Sequence, residues 1–289
     1  MTRDPSFTGV SAITADGVRL ALRRFSATGS GRGAVLCTHA MMVHGRYFHR
    51  FAAALAADGL DVYVLDWRGH GESKPPLPRG GSWTFDDYVT LDLPAVLAAV
   101  ATTSGCRSED VAVLGHSLGG LVTLAALGTG VVRVRRVVLA ATSVWLHGAQ
   151  GPWQRRAVMS VYDGVARVAG FAPVRALRFG SEDEPASYVS QLVGWSRTGR
   201  WTSRDGVDYL AALRGVDVPA WGVIGAGDRL CGPDDAQVLL RRLRGVGGDA
   251  VPLRVVGRAY GDAFDPDHFT LFTREEMAPV WREMARALE

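Results

Sequence analysis

The sequence predicts an α/β protein in which a mostly parallel central sheet carries helices on both faces. Three observations predict it. Short apolar runs at 34–38, 61–67, 110–114, 135–142, 220–224 and 253–256 alternate with segments of helical periodicity, the order expected of a parallel sheet with crossover helices. A strand at 110–114 runs straight into Gly115-His116-Ser117-Leu118-Gly119 and then into a long apolar helical stretch. One segment, from about 146 to 217, breaks the alternation.

Residues 10–14 and 18–25 flank Asp16-Gly17, a hairpin signal. Residues 46–58 read as a helix ended by Gly59. Residues 85–100 are helical in pattern, with Thr84 as N-cap and Pro94 as a kink. A helix near 235–244 lies between the last two strands, and 274–288 closes the chain as a helix. The 146–217 segment has helical patterns at 154–169 and 186–196 and lacks convincing buried strands. It is long for a connection within a compact domain. The expectation is a core of 1–145 and 218–289, with 146–217 laid as a helical cap over the C-terminal edge of the sheet.

Composition narrows the function. A chain of 289 residues, 47% hydrophobic and 21% charged, can bury a large core. The net charge is only +3, Lys74 is the one lysine, and the arginines are scattered, which argues against nucleic acid as a partner. No apolar run reaches the ~20 residues that would insert in a bilayer. Three cysteines, Cys37, Cys106 and Cys231, form no framework and point to reduced thiols and a cytoplasmic setting. Nothing in the sequence fixes the oligomeric state.

The strand–turn–helix around Ser117 carries the chemistry. A serine at such an apex sits in a strained conformation with its hydroxyl above the sheet edge. Flanking glycines let strand and helix approach closely, and the helix N-terminus aims free N–H groups at a developing oxyanion. A serine hydroxyl needs a base, and the base an orienting acid. Seven histidines compete. His116 adjoins the serine but should point away from it. His70 lies in a glycine-rich loop, His39, His44 and His49 surround the loop after the third strand, and His147 opens the cap. His268 follows the last strand, where ligand-facing loops gather, and is the best base. Asp228, in Gly225-Ala226-Gly227-Asp228 after an apolar strand, is the favoured acid. Its rivals are Asp66, better read as structural, Asp234 and Asp235, better read as helix N-terminal charges, and Asp265 and Asp267, too close in sequence to His268.

With these residues in hand, the chain resembles the α/β-hydrolase superfamily over nearly its whole length. Asp66-Trp67-Arg68-Gly69-His70-Gly71-Glu72-Ser73 looks like the family's loop after the fourth strand, and Gly115–Gly119 like its nucleophile elbow. Asp228 and His268 fall where the family keeps its acid and histidine. The resemblance implies a Ser117–His268–Asp228 triad with no metal and no organic cofactor. It also implies an oxyanion hole of Leu118 N–H and a second N–H after the third strand. The family commonly has His-Gly there; this chain has His39-Ala40-Met41, with a literal His44-Gly45 five residues on. Strand spacing favours His39 in the family position and Met41 as donor; the later register would give Arg46.

The expected activity is cleavage of a carboxylic ester or thioester with a hydrophobic acyl group, through an acyl-enzyme. The same triad could instead serve acyl transfer or cyclisation, and a non-catalytic small-molecule receptor is the reading from another class. His39, Trp153 and Trp195 are the candidates for contacting substrate.

Overall fold

The computed structural model describes residues 6–29, 31–73, 82–146, 153–243 and 252–289, with the backbone alone for 154–156. Lys74 and His147 lie outside them. Eight strands form one sheet in the order β1-β2-β4-β3-β5-β6-β9-β10. The hairpin of β1 (Thr8–Ile13) and β2 (Arg19–Phe25) turns at Asp16-Gly17, and β2 lies antiparallel on β4 (Asp61–Asp66). From β4 outward every pairing is parallel, through β3 (Ala34–Thr38), β5 (Ala112–His116), β6 (Arg136–Ala140), β9 (Ala220–Gly225) and β10 (Leu253–Val256).

The central strands β3, β4 and β5 are buried on both faces because both faces are covered. In β3, Ala34 and Leu36 enter one hydrophobic cluster while Val35 and Cys37 enter the other. The helices α3 (Leu93–Ser104) and α4 (Leu118–Gly128) line the first; α1 (His49–Ala57) and α10 (Ala278–Leu288) line the second. The helix expected at 85–100 is interrupted. A short α2 (Phe85–Asp87) passes through a π-helical turn, Tyr88–Asp92, before α3 begins. Pro94 has no N–H for the carbonyl of Thr90, so the ladder must widen there.

Between β6 and β9 the chain builds α5 (Trp153–Ala169), a minimal antiparallel pair of β7 (Phe171–Ala172) and β8 (Glu184–Pro185), α6 (Ala186–Thr198) and α7 (Tyr209–Ala212). This segment has a small core of its own, Met159, Ala166, Ala172, Val174, Val189 and Val193, against which Met42 and Trp145 pack. The chain then adds α8 (Pro233–Leu240), α9 (Thr270–Thr273) and α10. The terminal helix starts at Ala278 rather than 274, after a 3₁₀ turn, with Pro279 pre-set for its first turn.

The strand order places the site. From β3 the chain runs to β4 on one side, then crosses back to β5 on the other, with Thr38 paired to Gly115. The loops after β3 and β5 therefore leave the same sheet edge side by side, the switch point at which open α/β sheets form a crevice.

Candidate active site

Ser117 links β5 to α4 at φ 51°, ψ −110°, a conformation that costs a non-glycine residue about 1–3 kcal/mol. The fold over-determines it. Its N–H donates to the Ala140 carbonyl at 2.9 Å, and its carbonyl accepts the Gly120 and Leu121 N–H groups, both at 3.1 Å. The turn needs its glycines: a Cβ on Gly120 would lie 2.0 Å from Thr142 Oγ1. His116 and Leu118 are buried while Ser117 between them is partly exposed. Leu118 is the first helical residue, so its N–H has no intrahelical partner.

Asp228 and His268 meet although 40 residues separate them. His268 Nδ1 lies 2.7 Å from Asp228 Oδ2. The other carboxylate oxygen accepts the N–H groups of Leu230 at 2.7 Å and Cys231 at 3.0 Å. A carboxylate so placed only accepts, so the imidazole hydrogen sits on Nδ1 and the Nε2 lone pair is left open. Gly225 lets the two loops touch, since a Cβ there would sit 2.0 Å from the Pro266 carbonyl oxygen. The His268 ring lies 4.7 Å, centroid to centroid, from the ring of His116, next in sequence to Ser117.

The other described histidines are engaged elsewhere. His116 is fully buried, and its Nδ1 lies 2.6 Å from the Tyr47 hydroxyl, which itself accepts the Ala40 N–H. Burial, and secondarily the neighbouring His268, hold His116 well below the usual histidine range. His44 accepts the Arg46 N–H at the start of a 3₁₀ turn. His49 is buried against Phe7 and Phe25.

His39, a candidate for contacting substrate, is built into the loop after β3. It is fully buried, its Nε2 accepts the Trp67 N–H at 3.0 Å, and its Nδ1 lies 2.7 Å from the Ala40 carbonyl. Burial, then the charge of His70, keeps it neutral, so Nδ1–H donates to Ala40. Peptide planarity then sets the Met41 N–H opposite that carbonyl. Among the described residues nothing accepts the Met41 N–H, whereas the alternative donor, Arg46, has its N–H on His44.

Trp195 and Trp153, the other candidates for contacting substrate, stand in different surroundings. Trp195 is 3% exposed, donates Nε1–H to the Thr202 carbonyl at 2.7 Å and packs on Phe85 and Trp201. It faces the sheet-side core and not a crevice. Trp153 is 72% exposed at the start of α5. Trp145, which the sequence did not single out, donates Nε1–H to the Leu230 carbonyl and so joins the loop after β6 to the Asp228 loop.

Of the rival acids, Asp66 is a structural hub that accepts the Gly45 and Glu72 N–H groups and pairs with Arg23. Asp265 accepts the Arg258 N–H, Asp267 accepts N–H groups of Phe269 and Thr270, and Asp235 caps α8.

Sequence reasoning missed a second histidine–carboxylate pair. His70 is fully buried, with Nδ1 2.9 Å from the Arg68 carbonyl and Nε2 3.2 Å from Glu184 Oε1. Burial opposes its charge, but the Glu184 carboxylate outweighs that and raises it to about 9. The two residues are 114 apart, and no local pattern links them.

A family model described as serine aminopeptidase, S33 (Hydrolase_4), matches residues 29–247. "Lipase LipV" of Mycobacterium tuberculosis is 32% identical over 133 residues, 46% of this chain and 45% of that protein. "Monoacylglycerol lipase" of Mycolicibacterium smegmatis is 34% identical over 122 residues, 42% of this chain and 39% of that one. The chain thus matches less than half the length of these curated relatives. Among solved structures, an esterase from Exiguobacterium antarcticum aligns over 96% of this chain and all of that chain, with TM-score 0.64 and 18% identity. No helix among the described residues is long and apolar enough to cross a membrane.

Proposed function

Because the chain belongs to the serine aminopeptidase, S33, family and has the α/β-hydrolase fold, we propose that it is a serine esterase acting on small esters or thioesters with a hydrophobic acyl group. The observation that carries this is the 2.7 Å contact of His268 Nδ1 with Asp228 Oδ2, which frees Nε2 beside the elbow of a strained, partly exposed Ser117. Ser117 Oγ attacks the carbonyl carbon as His268 Nε2 takes its proton. The tetrahedral oxyanion sits between the N–H groups of Leu118 and Met41, each worth about 3 kcal/mol. The imidazolium, stabilised by Asp228, returns the proton to the leaving alcohol or thiol. Water then repeats the sequence on the acyl-enzyme.

The resemblance to proteins called lipase and monoacylglycerol lipase favours an ester over the amide in the family's description. Residues 146–217 serve as a cap in this reading. Their own core and their contacts with Met42 and Trp145, neighbours of the site, support it. Met41, Met42, Trp145 and Leu230 supply apolar surface around the loops that carry the triad. The free cysteines fit a cytoplasmic setting.

A fluorophosphonate probe with peptide mapping tests the nucleophile, and p-nitrophenyl esters of graded length test the reaction. Labelling at Ser117 alone with turnover is expected. Labelling at Ser73 or Ser143 instead would overturn the assignment.

A further inference from the structure

We propose that Glu184, a buried carboxylate of the segment between β6 and β9, is a positioning residue that aims the oxyanion-binding N–H of Met41 by gripping the next peptide. The proposal rests on the reading of Met41 as a donor to the oxyanion.

Met42 follows Met41 with φ 64°, the left-handed region that a methionine rarely adopts. Residues 181–184 hold both sides of it. The Met42 N–H donates to Glu184 Oε1 at 2.7 Å, and the Met42 carbonyl accepts the N–H groups of Ser181 at 2.9 Å and Glu182 at 3.0 Å. On the other side of Met41, His39 fixes the Ala40 carbonyl at 2.7 Å. Two rigid peptides therefore flank the Cα of Met41, one set by the core and one by the inserted segment. The loop after β4 joins the same clamp. His70 donates to Glu184 Oε1, and the Gly71 N–H donates to Glu182 Oε1 at 3.2 Å.

The pair is poorly built as a source of stability. Glu184 is 0% exposed, yet its Oε2 has no hydrogen-bond partner among the described residues. A half-satisfied buried ion pair gains little net stability, because desolvation offsets the attraction. Its Oε1, by contrast, is shared between a backbone N–H and an imidazolium, which fixes a direction. The cap segment thus shapes the reaction centre and is more than a roof over it.

The test compares wild type, Glu184→Ala and Glu184→Gln for kcat and KM on p-nitrophenyl butyrate, and for the inhibition constant of an alkyl trifluoromethyl ketone, whose hemiketal oxyanion needs the same donors. Thermal melting checks that each variant is folded. Glu184→Ala is expected to lower kcat by about tenfold, less than the ~100-fold of losing an oxyanion donor outright. KM should stay within about twofold, and the ketone should bind about tenfold more weakly. Glu184→Gln, which keeps an acceptor for Met42, should fall between. If Glu184→Ala does not fold, Glu184→Gln is read in its place. A folded variant with unchanged ketone affinity would overturn the proposal. A wild type that fails to label at Ser117 would instead overturn the esterase reading on which it rests.

Discussion

Two histidine–carboxylate pairs stand near one sheet edge, and they are built in opposite ways. In His268–Asp228 the histidine gives one hydrogen to the carboxylate and keeps a nitrogen open, while the second carboxylate oxygen is saturated by two backbone N–H groups. In His70–Glu184 both imidazole nitrogens donate, to the Arg68 carbonyl and to Glu184, and it is a carboxylate oxygen that goes unpartnered among the described residues. The first histidine can take a proton. The second already holds both of its hydrogens, with its proton affinity raised to about 9. The distinction proposed to separate a base from a brace is therefore which nitrogen is vacant, since both histidines lie within hydrogen-bond distance of a carboxylate.

The sharpest way to break this comparison is to delete each histidine in turn. His268→Ala should lower kcat by roughly 10⁶-fold, as loss of the base does in other serine triads, with the thermal midpoint nearly unchanged. His70→Ala should do the reverse. It strands a buried carboxylate, so stability should fall by about 3–5 kcal/mol, while kcat falls by about tenfold or less. Denaturant melts and kcat on one ester, measured for both variants, decide it. Comparable losses of kcat would mean that a vacant nitrogen does not distinguish the base from the brace.

Next in size is Asp228→Asn. The amide keeps the shape but presents an N–H toward His268 Nδ1, which favours the tautomer with its hydrogen on Nε2. A fall in kcat of about 10⁴-fold with KM little changed is expected. Near-normal turnover would return the acid role to Asp66 or Asp267.

The places of Ser117 and Asp228 at the ends of β5 and β9, and of His268 on the loop that follows β10, were legible because the chain order of the strands is readable as alternation. The strands themselves were legible for the same reason: a sheet covered on both faces demands unbroken apolar runs such as Val35-Leu36-Cys37. Glu184 and His70 were not, since a long-range ion pair leaves no periodicity in either segment. The surroundings of Trp195 and His39 were also hidden. An aromatic or a histidine reads alike in sequence whether it faces a crevice or a core, and only the direction of its Cβ in the folded chain decides. The π-helical turn before α3 was half legible. Pro94 announces a break, but which way the ladder gives depends on what packs against Tyr88 and Val89.

The pH dependence of stability sharpens the comparison with a smaller effect. The Glu184 carboxylate lifts His70 from 6.5 to about 9 against the opposing effect of burial. The folded state thus binds the proton more tightly than the unfolded chain. Its contribution is complete below pH 6.5, declines as the unfolded histidine loses its proton, and is gone once the pH passes about 9. The neighbouring tyrosines and His39 do not titrate within that window. Tyr88, Tyr162 and Tyr188 are pushed above 10 chiefly by burial, and His39 is held neutral. Urea midpoints from pH 6 to 10 should therefore fall more for wild type than for His70→Gln. Parallel curves would show that the pair is not charged in the folded protein.

The smallest expected change separates the aromatic residues of the core from those at the site. Trp195 is almost wholly buried and engaged through Nε1 with Thr202, so Trp195→Ala should cost about 3–5 kcal/mol of stability and leave the preferred acyl length where it was. Trp145 bridges the loop after β6 to the Asp228 loop through the Leu230 carbonyl, and it borders Met42 and Tyr162 in the small cluster of the inserted segment. Replacing it with alanine opens volume beside the proposed acyl site. Its preferred p-nitrophenyl ester should lengthen by a few carbons, with a stability loss below that of Trp195→Ala. Measuring both variants for thermal midpoint and chain-length profile gives two readouts that should move in opposite order. If Trp145→Ala leaves the profile unchanged, the wall of the acyl site must be sought at Met41 and Leu230, apolar residues on the loops that carry the proposed oxyanion donor and acid.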